Sequence, residues 1–124
     1  MRYDFNDDLF RYVGNQNKSF RVRLRHILFT LGVQYIYLLR KTSNARFFLA
    51  WFFWAVLLRC CMFKIGIQIP ASTTIGKGFR ILHFGTIVIN PGSQIGKNFN
   101  ISQGCLIGNS LGRSSGVPVI GDNV

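Results

Sequence analysis

Two histidines are the side chains of this sequence best suited to acid–base chemistry. They are His26 and His83. An imidazole titrates near neutral pH, so it can remove the proton from a hydroxyl group that attacks a carbonyl carbon. His26 lies in a basic, apolar segment, whereas His83 lies in a stretch of regularly spaced isoleucines. A single histidine in β-structure more often has a structural role than a catalytic one. The residues around His83 therefore have to decide between these two roles.

The cysteines favour neither a metal site nor a disulfide framework. Their number, three, is odd; Cys60 and Cys61 are adjacent, and Cys105 lies among the isoleucines. A zinc site built from three histidines is excluded in this stretch, because His83 is the only histidine there. We therefore expect no metal, and the cysteine pattern is typical of a reducing cytoplasm.

The isoleucines that surround His83 recur with a period of six residues. After a two-residue slip the count restarts, so that the repeated positions are Ile69, Ile75, Ile81, Ile87, then Ile89, Ile95, Ile101, Ile107, and finally Ile120. A period of six fits neither an α-helix nor an alternating strand. It predicts a triangular coil of three short sides, with each isoleucine pointing inward and stacking on the next coil. A β-sandwich fits less well, because its strands alternate with period two and turn about every 8–12 residues.

Small residues occupy two further places in this repeat. Glycine follows the isoleucine in four units, and we expect it at corners where the backbone is crowded or φ is positive. Thr73, Ser93 and Cys105 stand four positions after an isoleucine, where a narrow interior would favour small side chains. The four glycines are Gly76, Gly96, Gly108 and Gly121.

The repeats carry motifs that resemble those of a known family. The motifs are Ile-Gly-Lys-Gly (75–78), Ile-Leu-His-Phe-Gly (81–85), Ile-Val-Ile-Asn (87–90), Ile-Gly-Lys-Asn (95–98), Ile-Ser-Gln-Gly (101–104) and Pro-Val-Ile-Gly-Asp-Asn-Val (118–124). They resemble the hexapeptide-repeat acyltransferases, and more narrowly the serine acetyltransferase-like branch, which includes acetyltransferases of capsule and exopolysaccharide clusters. The resemblance covers nearly half of the chain. It implies a left-handed parallel β-helix, a homotrimer, and acetyl-CoA bound in a groove between subunits.

The same resemblance assigns roles to individual residues. It implies that His83 is the general base for direct transfer of an acetyl group from acetyl-CoA to a hydroxyl group, without an acyl-enzyme. The segment from Gly108 to Gly116 is similar to the loop that lines the cofactor groove. Glycine lets the backbone approach the pantetheine arm, and an arginine can meet a CoA phosphate. The candidate cofactor-binding residues are Gly108, Asn109, Ser110, Gly112 and Arg113.

Departures from the serine acetyltransferase pattern bear on the acceptor. Leu82 stands where that family has an Asp before the histidine, and Gln68 stands where it has a second Asp that orients the base. Ser115-Gly116-Val117 replaces the Asp-Arg-His that helps to hold serine. A free amino acid carries a carboxylate that needs a cationic partner, whereas a sugar hydroxyl does not. We therefore expect a sugar acceptor, with serine as the alternative. Gln68 and Asn90 are candidates for contacting the acceptor or orienting His83.

The first half of the chain, residues 1–64, is predicted to be a basic, apolar helical segment. Apolar stretches run from Ile27 to Leu39 and from Phe47 to Phe63, and we expect two helices in a hairpin. The net charge of +11 favours an anionic partner. No nucleic-acid motif is present, so the hypotheses are binding in an anionic membrane interface and packing as a cap on the coils or on partner subunits. A true span is disfavoured, because the second stretch contains Arg59 and basic residues flank every end.

Residues 65–124 are predicted to form the β-helix, with about three coils. Ile120 begins a further coil just before Val124. We therefore expect the chain to be the N-terminal piece of a longer protein, cytoplasmic or peripheral on the inner face of the membrane. If the chain instead ends at Val124, the alternative is a non-catalytic remnant that binds a membrane or other subunits.

Overall fold

The computed structural model describes residues 4–15, 19–112 and 115–124 as helices followed by short strands. The helices are α1 (Phe5–Val13), α2 (Phe20–Phe29), α3 (Leu31–Asn44) and α4 (Phe48–Ile65). The strands are β1 (Ile67–Gln68), β2 (Thr74–Ile75), β3 (Arg80–Ile81), β4 (Ile87–Ile89), β5 (Gln94–Ile95), β6 (Asn100–Ile101), β7 (Leu106–Ile107) and β8 (Val119–Ile120).

The strands stack into three parallel sheets, one for each side of a triangular coil. The sheet orders are β1-β4-β7, β2-β5-β8 and β3-β6. The described strands therefore make two complete coils and two sides of a third. Repeated isoleucines face each other across the stack, as Ile75 pairs with Ile95 and Ile81 pairs with Ile101. The β-helix predicted from the six-residue period is confirmed.

The interior of the coils is filled by the residues that the repeat places there. The isoleucine at position 69 is fully buried, and those at positions 75, 87, 89 and 95 are at most 4% exposed. Phe79 and Phe99 stack with their ring centroids 6.0 Å apart. Thr73 and Ser93 are buried, as expected for small residues in a narrow interior. Cys105 is half-buried and packs against the same core.

Two of the glycines that follow the isoleucines, Gly76 and Gly96, are required by crowding, and none of the four has a positive φ. A Cβ atom on Gly76 would lie 2.6 Å from the carbonyl carbon of Gly96 in the next coil. Of the two reasons expected for glycine at these positions, crowding holds at Gly76 and Gly96, whereas the repeat glycines with positive φ are Gly78, Gly85 and Gly104. At Gly76 and Gly96 the stacked coils approach so closely that no side chain fits between them.

Replacing Gly76 by alanine is therefore expected to destabilise the fold by about 1–3 kcal/mol through overpacking. Gly108 also follows an isoleucine, but a Cβ atom there meets nothing within 4 Å. In the 124-residue chain, Gly108→Ala should change stability by no more than about 0.5 kcal/mol. Urea denaturation followed by circular dichroism compares the two, and equal losses would contradict the crowding explanation.

The helical segment differs from the predicted two-helix hairpin. The apolar stretch from Ile27 to Leu39 is divided at Thr30, whose extended backbone (φ −107°, ψ 104°) ends α2 and starts α3. The first helix, α1, was not predicted, because its sequence is polar and mixed. Its start is nevertheless encoded, since the Asp4 side chain accepts a hydrogen bond from the Asn6 N–H and caps the helix.

The helices cover the open edge of the first coil with hydrogen bonds from side chains. The Tyr35 hydroxyl donates to the Ile69 carbonyl at 2.8 Å and accepts from the Ile69 N–H at 2.9 Å. Tyr12 makes the same pair of bonds to Ile81, both at 2.8 Å. Burial raises the pKa of Tyr12 to about 12, so its hydroxyl keeps the proton that it donates. Backbone groups that would otherwise lack partners are thereby satisfied.

A buried ion pair closes another side of the same coil. The Arg40 Nε atom lies 2.7 Å from the Asp8 carboxylate, and Asp8 is fully buried. Arg40 also donates to the carbonyls of Ile75 and Gly76 at 2.8 and 2.7 Å, while Asp8 accepts from the Phe79 N–H at 2.8 Å. Burial raises the pKa of Asp8, and the bonds from Arg40 and Phe79 act against that rise. Helices α1 and α3 are thus clamped to the β-helix as a cap.

Helix α4 packs on the cap along one face only. Leu58, Cys61 and Ile65 are its buried residues. The helix has 18 residues, and by length and composition alone it is apolar enough to cross a membrane. Only 17% of it is buried in the fold. A large apolar surface of α4 is therefore exposed.

Candidate active site

His83 lies in an enlarged corner of the first coil, between β3 and β4. Ile81 and Ile89 are eight positions apart, whereas their pairing partners Ile101 and Ile107 are six positions apart. The two extra residues lengthen the corner, which turns back through Gly85 and Thr86 at φ 103° and 48°. The His83 side chain is consequently exposed and not directed into the coil. The two-residue slip in the isoleucine count marks the place of this corner.

The corner forms a pocket together with the helical cap. The pocket has a volume of about 320 Å³. Among the described residues that line it, none is acidic, Lys or Arg; they are Tyr12, Phe29, Thr30, Leu31, Gly32, Ile81, Leu82, His83 and Phe84. A Cβ atom on Gly32 would lie 3.0 Å from the Ile81 carbonyl oxygen, so a glycine there lets α3 approach the corner closely. His83 therefore faces a space whose described lining contains both polar and apolar groups and no charged side chain.

The two candidates for orienting His83 lie away from this pocket. Gln68 is exposed on β1 and lines a different pocket, with Arg59, Gly66 and Val88 among its neighbours. The Asn90 side-chain oxygen accepts a hydrogen bond from the Gly92 N–H at 2.9 Å, which stabilises a turn. The structure brings neither residue together with His83, and their roles in binding or orientation stay predictions.

The candidate cofactor loop protrudes between β7 and β8. Ser110 and Gly116 pair across it, with N–H to carbonyl distances of 3.0 and 3.3 Å. Asn109, Ser110 and Gly112 are exposed and Gly108 is half-buried, whereas Arg113 lies outside the described residues. A Cβ atom on Gly108 or Gly112 would meet nothing within 4 Å, so the backbone is open to a ligand. This openness fits the backbone approach that a pantetheine arm requires.

The loop and His83 belong to different corners of the triangular coil. The loop joins the β1-β4-β7 sheet to the β2-β5-β8 sheet, whereas the His83 corner joins the β3-β6 sheet to the β1-β4-β7 sheet. A single chain therefore presents the candidate base and the candidate cofactor loop at separate corners.

Residues of the helical cap that line the pocket were missed by sequence reasoning. Tyr12 and Gly32 are separated from His83 by long stretches of chain, and no repeat links them to it. The signal that could have placed Tyr12 is the helical spacing of Phe5, Leu9 and Tyr12 after the Asp4 cap. Within the ranges that the structure describes, no three His, Cys, Asp or Glu residues are grouped as a metal site.

Comparisons with known proteins agree with the motifs and the architecture. No protein-family model matches the chain. The chain is 39% identical over 64 residues to proteins named as the colanic acid biosynthesis acetyltransferase WcaB, from Escherichia coli K12 and from Shigella flexneri. The match covers 52% of this chain and 38% of each relative, so the chain spans well under half of their length.

A solved structure extends the similarity to the helical segment. Serine acetyltransferase isoform 3 from Entamoeba histolytica, crystallised with cysteine, superposes with a TM-score of 0.65 at 23% sequence identity. The superposition covers 94% of this chain and 41% of that chain. It shows that the fold, helices included, is that of a left-handed β-helix protein of this kind. Together with the WcaB similarity, it supports a hexapeptide-repeat acyltransferase of the serine acetyltransferase-like branch.

Proposed function

We propose that the protein transfers an acetyl group from acetyl-CoA to a hydroxyl group of a sugar during polysaccharide biosynthesis, with His83 as the general base. The observation that carries the proposal is the position of His83, exposed in an enlarged corner and facing an uncharged pocket. The relatives named as acetyltransferases of colanic acid biosynthesis support both the donor and the class of acceptor.

The chemistry asked of His83 is the transfer of one proton. Acetyl-CoA supplies the activated acetyl group as a thioester. An imidazole nitrogen of His83 takes the proton of the acceptor hydroxyl as the oxygen attacks the thioester carbonyl carbon. The carbon–sulfur bond then breaks, and the proton leaves with the CoA sulfur as a thiol. Cys105, half-buried against the core, takes no part in this direct transfer.

The lining of the pocket favours a sugar over an amino acid. Serine would bring a carboxylate, which binds most strongly to a cation in fork geometry. None of the described lining residues is Arg or Lys; Arg80 lies nearby, but its guanidinium stacks on the Tyr12 ring at 5.3 Å. The exposed rings of Phe29 and Phe84 offer apolar contacts to the carbon–hydrogen faces of a sugar. Serine stays the second candidate, because the fold matches that of a serine acetyltransferase.

A homotrimer would bring the separated parts of the site together. The cofactor loop and His83 lie at different corners of one chain. Around a threefold axis, the loop of one copy can reach the His83 corner of its neighbour, which forms three equivalent sites. We place this assembly in the cytoplasm, where the three free cysteines stay reduced.

Acceptor preference is the direct test of this function. Thiol release from acetyl-CoA is measured with the full-length protein, using L-serine and a panel of neutral and acidic oligosaccharides as acceptors. We expect kcat/KM to be at least about tenfold higher for one of the saccharides, since serine would leave a carboxylate without a partner. Equal or faster turnover with serine would establish the serine acetyltransferase alternative. Absence of turnover with every acceptor would favour a non-catalytic protein.

A further inference from the structure

The outer surface of α4 exposes large apolar side chains on the helical cap. Their exposed fractions lie between 38% and 79%, and the residues are Phe48, Leu49, Trp51, Phe52, Phe53, Val56, Leu57 and Phe63. We call this set the apolar face of α4. Phe48 and Phe52 stack on each other, with ring centroids 6.2 Å apart. Surfaces of this kind mark sites that contact another apolar phase or partner.

The opposite side of α4 is fixed to the cap, which sets the orientation of the helix. Leu58, Cys61 and Ile65 are buried in the core. The Trp54 ring meets the Tyr37 ring of α3 edge to face at 6.0 Å, and Lys41 lies over both rings. Because α3 is itself held to the first coil by Tyr35 and Arg40, α4 lies along the cap. A helix held in this way can present one face to a bilayer but cannot be surrounded by lipid.

Helices α2, α3 and α4 carry charges of one sign only. No acidic residue occurs between Asp8 and Asp122 in the sequence, so α2, α3 and α4 contain none. The buried carboxylate of Asp8 is already paired with Arg40. Exposed basic residues lie on α2, before α4 and on α4; they are Arg21, Arg25, Arg46, Arg59 and Lys64. Because Arg46, Arg59 and Lys64 lie beside or on α4, an occupant that is both apolar and anionic fits this surface best.

We propose that the apolar face of α4 docks on the surface of an anionic phospholipid bilayer. The aromatic side chains enter the boundary between headgroups and acyl chains, and the arginines of α2 and α4 contact lipid phosphates. A second copy of the chain fits less well, because α4 and the residues beside it carry Arg46, Arg59 and Lys64 and no carboxylate, so that two such surfaces would bring like charges together. Docking would hold the His83 pocket, which Phe29 of α2 helps to line, close to the membrane.

Vesicle binding by the full chain tests the proposal. Vesicles of phosphatidylcholine alone are compared with vesicles containing about 30% phosphatidylglycerol, at low and high salt. We expect sedimentation only with the anionic vesicles, weakened by salt, and release by alkaline carbonate as for a peripheral protein. Binding that ignores lipid charge would overturn the proposal. Resistance to carbonate would do so as well, by showing that α4 spans the bilayer.

Two matched pairs of variants locate the contact. Arg21→Gln with Arg25→Gln should weaken vesicle binding by roughly tenfold or more. Lys77→Gln with Lys97→Gln, which makes the same charge change on exposed coil corners, should not. Phe48→Ser with Phe52→Ser should abolish binding, whereas Leu111→Ser, at a residue 88% exposed on the loop, should leave it intact. If the phenylalanine variants instead change the oligomeric mass of a chain that never binds vesicles, the surface is a contact between copies and the proposal is wrong.

Discussion

Replacing His83 by alanine is expected to lower kcat/KM for acetyl transfer by about 10²- to 10⁴-fold, the usual contribution of a general base. The folded state should be unaffected, because the side chain is exposed in its corner and contributes nothing to the isoleucine core. The open pocket also admits small molecules. Added imidazole should therefore restore part of the activity of the variant, which it would not do if His83 had only a structural role.

The matched control is the same substitution at the other histidine. The Nδ1 atom of His26, on α2, lies 3.1 Å from the hydroxyl of Thr30, and His26 does not line the pocket. Thiol release by the full-length protein should fall in His83→Ala and stay within about threefold of the wild type in His26→Ala. A similar loss in both variants, or a His83→Ala protein that keeps full activity, would remove His83 from the reaction.

Replacing Arg40 by methionine is expected to destabilise the protein by about 3–5 kcal/mol, since one partner of a buried ion pair is lost while the other stays. Asp8 is fully buried and would keep only the Phe79 N–H among its hydrogen bonds described above. The carbonyls of Ile75 and Gly76 would lose their donors at the same time. Chemical denaturation, followed by circular dichroism, measures the loss.

Arg46→Met provides the control for the loss of one positive charge. Arg46 is exposed, so its replacement should change the stability by no more than about 0.5 kcal/mol. Combining Arg40→Met with Asp8→Asn should recover part of the loss, because the buried charge is removed with its partner. If the double variant is less stable than the sum of the single effects predicts, the pair is not the source of the stabilisation.

The β-helix was predictable because its signal repeats. Each isoleucine of the six-residue period occupies an equivalent place in its coil side. A wrong structural prediction at one position is therefore corrected by the other positions. The cap was less predictable. Asp8 and Arg40 are 32 positions apart, and nothing in either local sequence indicates that the two side chains meet inside the protein. The split at Thr30 was also missed, since an apolar stretch can bend without changing its composition.

The candidate site, like the fold, has one part that was predictable from the sequence and one part that was not. The position of His83 in a corner follows from the two-residue slip in the isoleucine spacing, which can be read directly from the sequence. The surroundings of His83 depend on how closely α1 and α3 approach that corner, and this distance is set by Gly32 and Tyr12. Gln68 was suggested because it stands where the serine acetyltransferases have an Asp, and Asn90 was a second candidate. Neither position determines which pocket the side chain enters.

The attachment of the cap to the first coil has a consequence for the order in which the chain folds. The ribosome releases α1 to α4 before any strand, and α3 packs against α4 through contacts that are close in sequence. The first coil can then form against the helices, whose tyrosine, arginine and aspartate side chains supply its hydrogen-bond partners. Each later coil is added to the one before it. We expect folding to proceed from the N-terminus during synthesis. The pairing of the first parallel strands, which is slow by itself, would then take place on helices that have already formed.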